Sequence, residues 1–310
     1  MRRFLFCVLL QAACAARAGG PSVARPPSIV DVVVTVDDLP SHGPSFTGID
    51  RVAIADRMIA TFRAHRLPPV VGFVNGQRAD NATNVVLQRW LASGNRLGNH
   101  TWSHVSLNDA SIDAFIREIE RGGTFVDSLA PRSSKLFRFP FLFEGDTEAK
   151  RDSVRDYLAG SGITVARVTI DADDWAFNPP FARCMTKNDS KAIASLREMF
   201  VAAHGVELAR MRQLTRTLAG HEVAQILLLH IGAADADALD SLLTAYENAG
   251  VRFVSLESAL ADPFYATEVK STYRFGAALP YLIAKERHVK APVEPPPARH
   301  QQSRLDAFCR

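Results

Sequence analysis

Two histidines four residues apart are the first candidates for chemistry in this chain. His100 and His104 follow the short segment Asn95–Leu97. A spacing of four lets both imidazoles point the same way from a helical turn or a compact loop, as paired zinc ligands require. Asp38 follows a β-branched apolar run and offers a third, oxygen ligand that leaves one coordination position open for water. These three residues predict a divalent metal site, although such a histidine pair is by itself common in ordinary sequence.

Polar residues follow the other apolar runs in the same way. In parallel α/β barrels the groups at the carboxyl ends of the strands converge on one face, where catalysis occurs. Consecutive side chains on a strand face opposite sides, so Asp37 and Asp38 share one site only if the strand ends there, and Pro40 favours such an end. The other polar residues in such positions are Arg138, Asp174 and His230.

Each of these polar residues has a functional and a structural interpretation. Arg138 is a fixed cation that could hold a carboxylate ionised and oriented, or it could form a surface ion pair. Asp174 could orient and charge His230, which could equally be a core histidine with its hydrogen bonds satisfied. Trp175 and Leu228 read most simply as core, although an apolar wall beside a metal could hold a small acyl methyl group. His42 lies near Asp38 in the sequence and is interpreted as loop.

The pattern between these residues alternates strands with helices. Continuous apolar runs favour strands buried on both faces. Stripes at the spacing i, i+3, i+4, i+7 predict helices around Ala55–Phe62, Ile112–Ile119 and Leu239–Tyr246, and 187–218 also reads as helix. Strand–helix alternation predicts an α/β fold with about seven parallel strands, which could close into a barrel. The predicted strands are Ile29–Val36, Val70–Val74, Asn95–Leu97, Leu136–Phe139, Ile163–Ile170, Gln225–His230 and Val251–Val254.

The N-terminus has the features of a cleaved leader. A basic head precedes a short apolar run, and Ala16-Arg17-Ala18 fits the small-x-small cleavage pattern. The apolar run is shorter than the roughly 20 residues that cross a bilayer, so we expect no stable membrane insertion after cleavage. The leader carries three arginines and no acidic residue, so its loss takes the formal net charge from +3 to 0. The mature chain therefore gives no electrostatic reason to expect nucleic-acid binding. The expected location is secreted or periplasmic.

The expected domains follow from these boundaries. Residues 1–18 are the signal peptide, 19–28 a lead-in, 29–260 the α/β domain and 261–310 a partly disordered C-terminal extension. Of 310 residues, 47% are hydrophobic, which excludes a disordered chain and leaves ample material for a core. Cleavage leaves two of the four cysteines, Cys184 and Cys309. They could pair in an oxidising compartment or remain as unrelated thiols; we expect a disulfide that ties the tail to the segment after Asp174-Trp175.

Five segments together resemble the motifs of the polysaccharide deacetylases, the NodB-homology group or carbohydrate esterase family 4. The resemblance spans roughly residues 30–260, and each motif is weak alone while the ordered set is specific. The family usually has Thr-Phe-Asp-Asp-Gly first, whereas here Val36 replaces Phe and Leu39-Pro40 replace Gly, so the first loop must take another path. The segments are Val-Thr-Val-Asp37-Asp38, His100-Thr-Trp-Ser-His104, Arg138-Phe-Pro-Phe141, Asp171-Ala-Asp-Asp174-Trp175 and Leu228-Leu-His230.

This resemblance implies a distorted (β/α) barrel and a metal-dependent hydrolase that removes acetyl groups from N-acetylated sugars of a polysaccharide or oligosaccharide. It implies a divalent metal, commonly zinc, held by Asp38, His100 and His104. By the same resemblance, Asp37 is the general base oriented by Arg138, and His230 is the general acid supported by Asp174. The Phe141 amide would help bind the oxyanion, and Trp175 and Leu228 would line the acetyl-methyl pocket.

Three other functions fit part of the pattern. The same chemistry attacks esters, so an O-acetyl glycan esterase of the xylan type is an alternative. A carbohydrate-binding protein on an inactive deacetylase scaffold is another, but such a protein typically lacks a ligand or the base, and all are present here. A two-His-one-carboxylate iron oxygenase shares the ligand types; metal analysis and oxygen dependence separate it.

Overall fold

The computed structural model describes residues 29–43, 49–290 and 298–310. The predicted signal peptide and lead-in lie outside these residues. Over the described ranges, none of the helices is both long enough and apolar enough to cross a bilayer.

One parallel sheet forms the centre of the fold. Its order is β5-β4-β3-β2-β1-β6, and β7 pairs with the beginning of β1 through Val30–Val32. Six of the seven predicted strands lie within a few residues of their expected bounds, and the predicted parallel α/β fold is confirmed. The strands are β1 (Val30–Leu39), β2 (Val71–Val74), β3 (Arg96–Asn99), β4 (Leu136–Phe137), β5 (Thr164–Val165), β6 (Gln225–His230) and β7 (Val251–Phe253).

The segment after β5 closes the sheet into a distorted barrel. The Ala166 N–H donates to the Phe137 carbonyl at 2.8 Å, on the β4 side. Four residues later the Ile170 carbonyl accepts from Leu228 N–H at 3.0 Å, on the β6 side. The predicted strand Ile163–Ile170 is therefore regular only at Thr164–Val165, because the chain leaves β4 to reach β6 and cannot pair along its whole length with either.

Helices cover the outside of this sheet. The predicted stripes of α1, α3 and α7 are largely buried, as for Met58 and Phe62, Phe115 and Ile119, and Leu239. Side chains of Asp50 and Ser111 cap α1 and α3 by accepting from free N–H groups of the first turn. The helices are α1 (Arg51–Ala64), α2 (Asn84–Ala92), α3 (Ile112–Leu129), α4 (Glu148–Gly160), α5 (Asn178–Thr186), α6 (Ser190–Ala219), α7 (Ala233–Asn248), α8 (Leu256–Leu260), α9 (Leu279–Glu286) and α10 (Ala298–Ala307).

The C-terminal extension packs against the barrel at two places. Leu279 and Ile283 of α9 join an apolar cluster that includes side chains of β1, β2 and β6. Beyond α10, Cys309 forms a disulfide with Cys184 of α5, with Cα atoms 5.1 Å apart and a sequence separation of 125. The expected pairing of these two cysteines is confirmed, and it attaches the chain end to the segment that follows Asp174.

A buried glutamate on α6 makes the stability of the fold sensitive to pH. Glu207 is 2% exposed, and its Oε1 accepts from the Tyr281 hydroxyl at 3.3 Å. Burial raises the pKa of Glu207 to about 7. Because the folded state binds this proton more tightly than the unfolded chain does, protonation of Glu207 contributes to the free energy of unfolding. This contribution is complete below the unfolded pKa of about 4 and is lost as the pH rises through about 7.

We therefore expect Glu207→Gln, which keeps the acceptor for Tyr281, to be more stable than the wild type at pH 8 but not at pH 4. The gain is up to about 3 kcal/mol, from a shift of roughly 2.5 pKa units. Urea denaturation at both pH values measures it. Glu198→Gln, an exposed position on the same helix, is the control. If the free energy of unfolding of Glu207→Gln differed from that of the wild type by the same amount at both pH values, the raised pKa of Glu207 would be contradicted.

Candidate active site

The strand ends bring the predicted catalytic residues together at one end of the barrel. Asp37 of β1 is in register with His230 at the end of β6. On the other side of β1, His100 directly follows β3, and its N–H donates to the Val74 carbonyl of β2 at 3.1 Å. Arg138 follows β4, and its N–H donates to the Asn99 carbonyl at 3.0 Å. Polar residues far apart in sequence therefore share one site because they occupy equivalent positions on neighbouring strands.

An irregularity in β1 places two adjacent carboxylates in the same site. The strand does not end at Asp37 but continues to Leu39, with a register shift between Val36 and Leu39. Asp38 has a positive φ of 66°, which breaks the alternation of side chains. Both aspartates are buried and lie near the same imidazole, since Asp37 Oδ2 and Asp38 Oδ1 are each 3.7 Å from His100 Nε2. The prediction that the strand ends at these aspartates is therefore wrong. A bulge in the strand instead brings both carboxylates to the same site.

Asp38, His100 and His104 form a group with the properties of a metal site. Their ligand atoms lie within 4.8 Å of one another, and Asp38 Oδ1 is 3.2 Å from His104 Nε2. This Oδ1 is buried with no hydrogen-bond donor among the described residues. His100 Nδ1 lies 2.8 Å from the Arg138 carbonyl, to which it can only donate, so Nε2 carries the free lone pair. The group therefore presents an unsatisfied oxygen and a correctly oriented imidazole to one point.

The ionisation of these residues also suits a cation. Burial lowers the pKa of His100 to about 4 and that of His104 to about 3, so both imidazoles are neutral at physiological pH. Burial acts against ionisation of Asp38, but the hydrogen bond with His42 and the nearby His104 and Arg78 hold its pKa well below the usual range. Two neutral imidazoles and one carboxylate are the protonation states that metal ligands need.

His42 and Arg78 occupy the other face of Asp38, and sequence reasoning missed both. Asp38 Oδ2 is 2.7 Å from His42 Nδ1 and 3.0 Å from Arg78 Nη1. His42 also lies against His230, with ring centroids 4.4 Å apart, so Asp38, His42 and His230 form a second group of potential ligands. The Arg78 guanidinium on Oδ2 repels a cation there, which favours the group with His100 and His104. The spacing of four between Asp38 and His42 was the one available signal; Arg78 had none.

Asp37 is held by a buried guanidinium. Arg138 Nη1 donates to Asp37 Oδ1 at 2.7 Å and lies 2.8 Å from Thr35 Oγ1, while its Nε donates to the Ala166 carbonyl at 2.9 Å. The Arg138 Cζ lies 4.3 Å from the centre of the Phe73 ring. Burial raises the pKa of Asp37 and the Arg138 charge opposes this effect. A fixed carboxylate of raised basicity is suited to accept a proton.

His230 has a buried carboxylate partner. Its Nδ1 is 2.9 Å from Asp174 Oδ1, and its backbone N–H donates to Asp174 Oδ2 at 2.6 Å. Burial raises the pKa of Asp174 to about 7. With Nδ1 bound to Asp174, Nε2 is the nitrogen of His230 left to exchange a proton with a substrate.

The three predicted substrate-contacting residues lie at different depths. Phe141 sits in a short 3₁₀ turn with a positive φ of 57°, and its half-exposed ring lies 4.4 Å from that of His104. Trp175 is also partly exposed and follows Asp174 in a second 3₁₀ turn. Leu228 is buried two residues before His230 on β6, so it lies on the same strand face one layer deeper.

Comparisons with known proteins give a matching family model and several solved structures similar to this chain. The family model described as polysaccharide deacetylase matches residues 24–166. The structure of the peptidoglycan deacetylase PdaC from Bacillus subtilis, and that of a mutant of it, are each 20% identical over 76% of this chain and 93% of that chain, with a TM-score of 0.50. A family 4 carbohydrate esterase from Streptomyces lividans in complex with acetate is 20% identical over 74% of this chain and 94% of that chain, with a TM-score of 0.48. No curated protein matches the chain.

The match begins before β1 and extends past β5, so it contains the first three of the five motifs. The likeness to PdaC shows the same fold and nothing finer at this identity. Residues 24–166 are thus similar in sequence to the polysaccharide deacetylase family.

Proposed function

We propose that the protein is a metal-dependent hydrolase that removes acetyl groups from N-acetylated sugars of a polysaccharide or oligosaccharide. The observation that carries the proposal is the arrangement around Asp38, His100 and His104. On one side of this group lies the Asp37–Arg138 pair, and next to it the His230–Asp174 pair. Amide hydrolysis needs a base for the incoming water and an acid for the departing nitrogen, and two such pairs supply both.

Asp38, His100 and His104 would hold the metal, and zinc suits two imidazoles and one carboxylate. The unsatisfied Oδ1 of Asp38 and the oriented Nε2 of His100 support this ligand set. A bound divalent ion supplies Lewis-acid polarisation of the acetyl carbonyl and acidifies water at the site.

The protein's own residues then move two protons. As the water oxygen forms a bond to the acetyl carbon, Asp37 accepts the water proton, and Arg138 keeps the carboxylate in position. His230 gives its proton to the sugar nitrogen as the carbon–nitrogen bond breaks, which releases acetate and the free amino sugar. Asp174 stabilises the positive charge of His230 before the transfer.

The neighbouring residues would bind the reacting acetyl group. We assign the Phe141 backbone N–H to the developing oxyanion, since a fixed donor at that atom is most valuable in the transition state. Trp175 and Leu228 supply apolar surface for the acetyl methyl group. Their positions beside Asp174 and beneath His230 support this role.

Acetate release from a panel of glycans tests the proposal. We expect the metal-loaded protein to release acetate from oligosaccharides of N-acetylglucosamine at least tenfold faster than from O-acetylated xylo-oligosaccharides. The reverse preference would assign an O-acetyl esterase. Binding of the oligosaccharides without acetate release would assign an inactive carbohydrate-binding scaffold, and either result would overturn the proposed activity.

A further inference from the structure

A second buried carboxyl group lies behind the Asp174–His230 pair, outside all five motifs. Asp235, in the first turn of α7, is fully buried, and its carboxyl group lies within hydrogen-bonding reach of that of Asp174. Asn178 Nδ2 donates to Asp235 Oδ2 at 2.9 Å, and Asn178 Oδ1 accepts from the Ala234 N–H at 2.9 Å. The side chain of Asp235 is therefore held in place from the backbone of its own helix.

The packing around this contact is tight. A Cβ atom at position 232 would lie 2.3 Å from both Asp235 Oδ2 and Asn178 Nδ2, so Gly232 is required for the two side chains to meet.

The available donors determine which carboxyl group holds a proton. Both oxygens of Asp174 already accept from His230, one from the backbone N–H and one from the ring. Asp235 Oδ1, in contrast, is buried and has no donor in the described part of the chain. Two carboxylates in contact repel each other strongly in a buried site, so one of them must be protonated. Protonation of Asp235 at Oδ1 satisfies every atom, since that oxygen then donates to Asp174.

We propose that Asp235 is a positioning residue that stays neutral, donates a hydrogen bond to Asp174, and keeps the single negative charge of the pair on the carboxylate that faces His230. Its effect on catalysis rests on the function proposed above. In support, burial raises the pKa of Asp235 well above its usual range. Burial raises the pKa of Asp174 as well, while the hydrogen bond from Asp235 lowers it and so keeps Asp174 available as an anion.

Two substitutions at this position separate the proposal from a structural role. Asp235→Asn keeps both hydrogen bonds, because its oxygen accepts from Asn178 and its NH₂ group donates to Asp174. Asp235→Val removes both at similar volume. We expect Asp235→Val to lower kcat on the order of tenfold, which is a part of the roughly 10²–10⁴-fold that general acid–base catalysis contributes. The acid limb of its kcat–pH profile should move to higher pH, because Asp174 loses a hydrogen bond that lowers its pKa. Asp235→Asn should restore most of kcat and the wild-type limb.

A structural role would lower the Tm of Asp235→Val without moving the acid limb, which would overturn the proposal. A shifted limb in Asp235→Asn would overturn it too, because Asp235 would then carry the charge. If Asp235→Val does not fold, the kcat–pH profile of Asp235→Asn and infrared spectroscopy test the proposal.

Infrared spectroscopy at neutral pH reads the proton directly and does not depend on activity. Asp235→Asn should lack one protonated-carboxyl C=O stretch that the wild type shows, while the stretch of other protonated carboxyl groups such as Glu207 remains. Asp240→Asn, an exposed position on the same helix, should leave that band unchanged. An identical band in wild type and Asp235→Asn would overturn the proposal. If the wild type releases no acetate from any glycan, the proposed function fails while the infrared result still decides the state of Asp235.

Discussion

An Asp37→Asn variant is expected to keep its metal ion and to lose about 10²–10⁴-fold in kcat, the usual contribution of a general base. The amide still accepts a hydrogen bond from Arg138 but cannot take a proton from water. The change also leaves the buried Arg138 without its counter-charge, a loss that costs about 3–5 kcal/mol when a buried pair is broken. Acetate release is therefore measured well below the Tm of the variant, with circular dichroism confirming the fold.

The matched control is Asp31→Asn on the same strand, where the carboxylate pairs with Arg252 at the surface. It should change kcat little, since exposed pairs contribute only about 0–1 kcal/mol. A folded, metal-loaded Asp37→Asn protein with near-normal acetate release would remove Asp37 from the mechanism.

Substitution of His104 by alanine is expected to weaken metal binding by at least about 100-fold. Changes to groups that only support a ligand already cost about 10–100-fold in affinity, and His104 is assigned as a ligand itself. Isothermal titration with zinc measures the affinity, and activity should fall with metal occupancy. His221→Ala, an exposed histidine paired with Asp262, is the control and should bind zinc as the wild type does.

Stoichiometric, equally tight binding by His104→Ala would show that the ion binds elsewhere. Asp38→Asn should behave like His104→Ala and lose metal and activity together. If Asp37→Asn instead lost the metal and Asp38→Asn kept it, the roles of the two adjacent aspartates would be exchanged.

The positions of the strands and most of the site could be predicted because they depend on local patterns. Apolar β-branched runs mark β1 and β6, and the polar residues at their ends mark the face that carries the candidate site. The bulge at Asp38 could not be predicted, because a positive φ is uncommon for any non-glycine residue, and an aspartate at the end of an apolar run is not enough to indicate one. The regular part of β5 is short because the following segment closes the barrel. Closure depends on contacts between distant parts of the chain, which a local run of apolar residues does not indicate.

The residues missed by sequence reasoning reach the site from outside the motifs. Arg78 lies in a 3₁₀ turn after β2, and Asp235 lies on a helix whose apolar stripe gave no reason to single it out. Both are polar groups whose partners, Asp38 and Asp174, come from distant strand ends. Only the three-dimensional arrangement shows that the guanidinium of Arg78 and the carboxyl group of Asp235 belong to the same site.

Metal-dependent release of acetate is the most direct test of the proposed metal centre. Protein freed of metal by chelation is titrated with zinc while acetate is measured from an oligosaccharide of N-acetylglucosamine. We predict no significant release without metal and a rate that rises in proportion to zinc up to one ion per protein. Full acetate release by the metal-free protein, or no release at any zinc occupancy, would contradict the assignment of Asp38, His100 and His104 as the metal centre of a deacetylase.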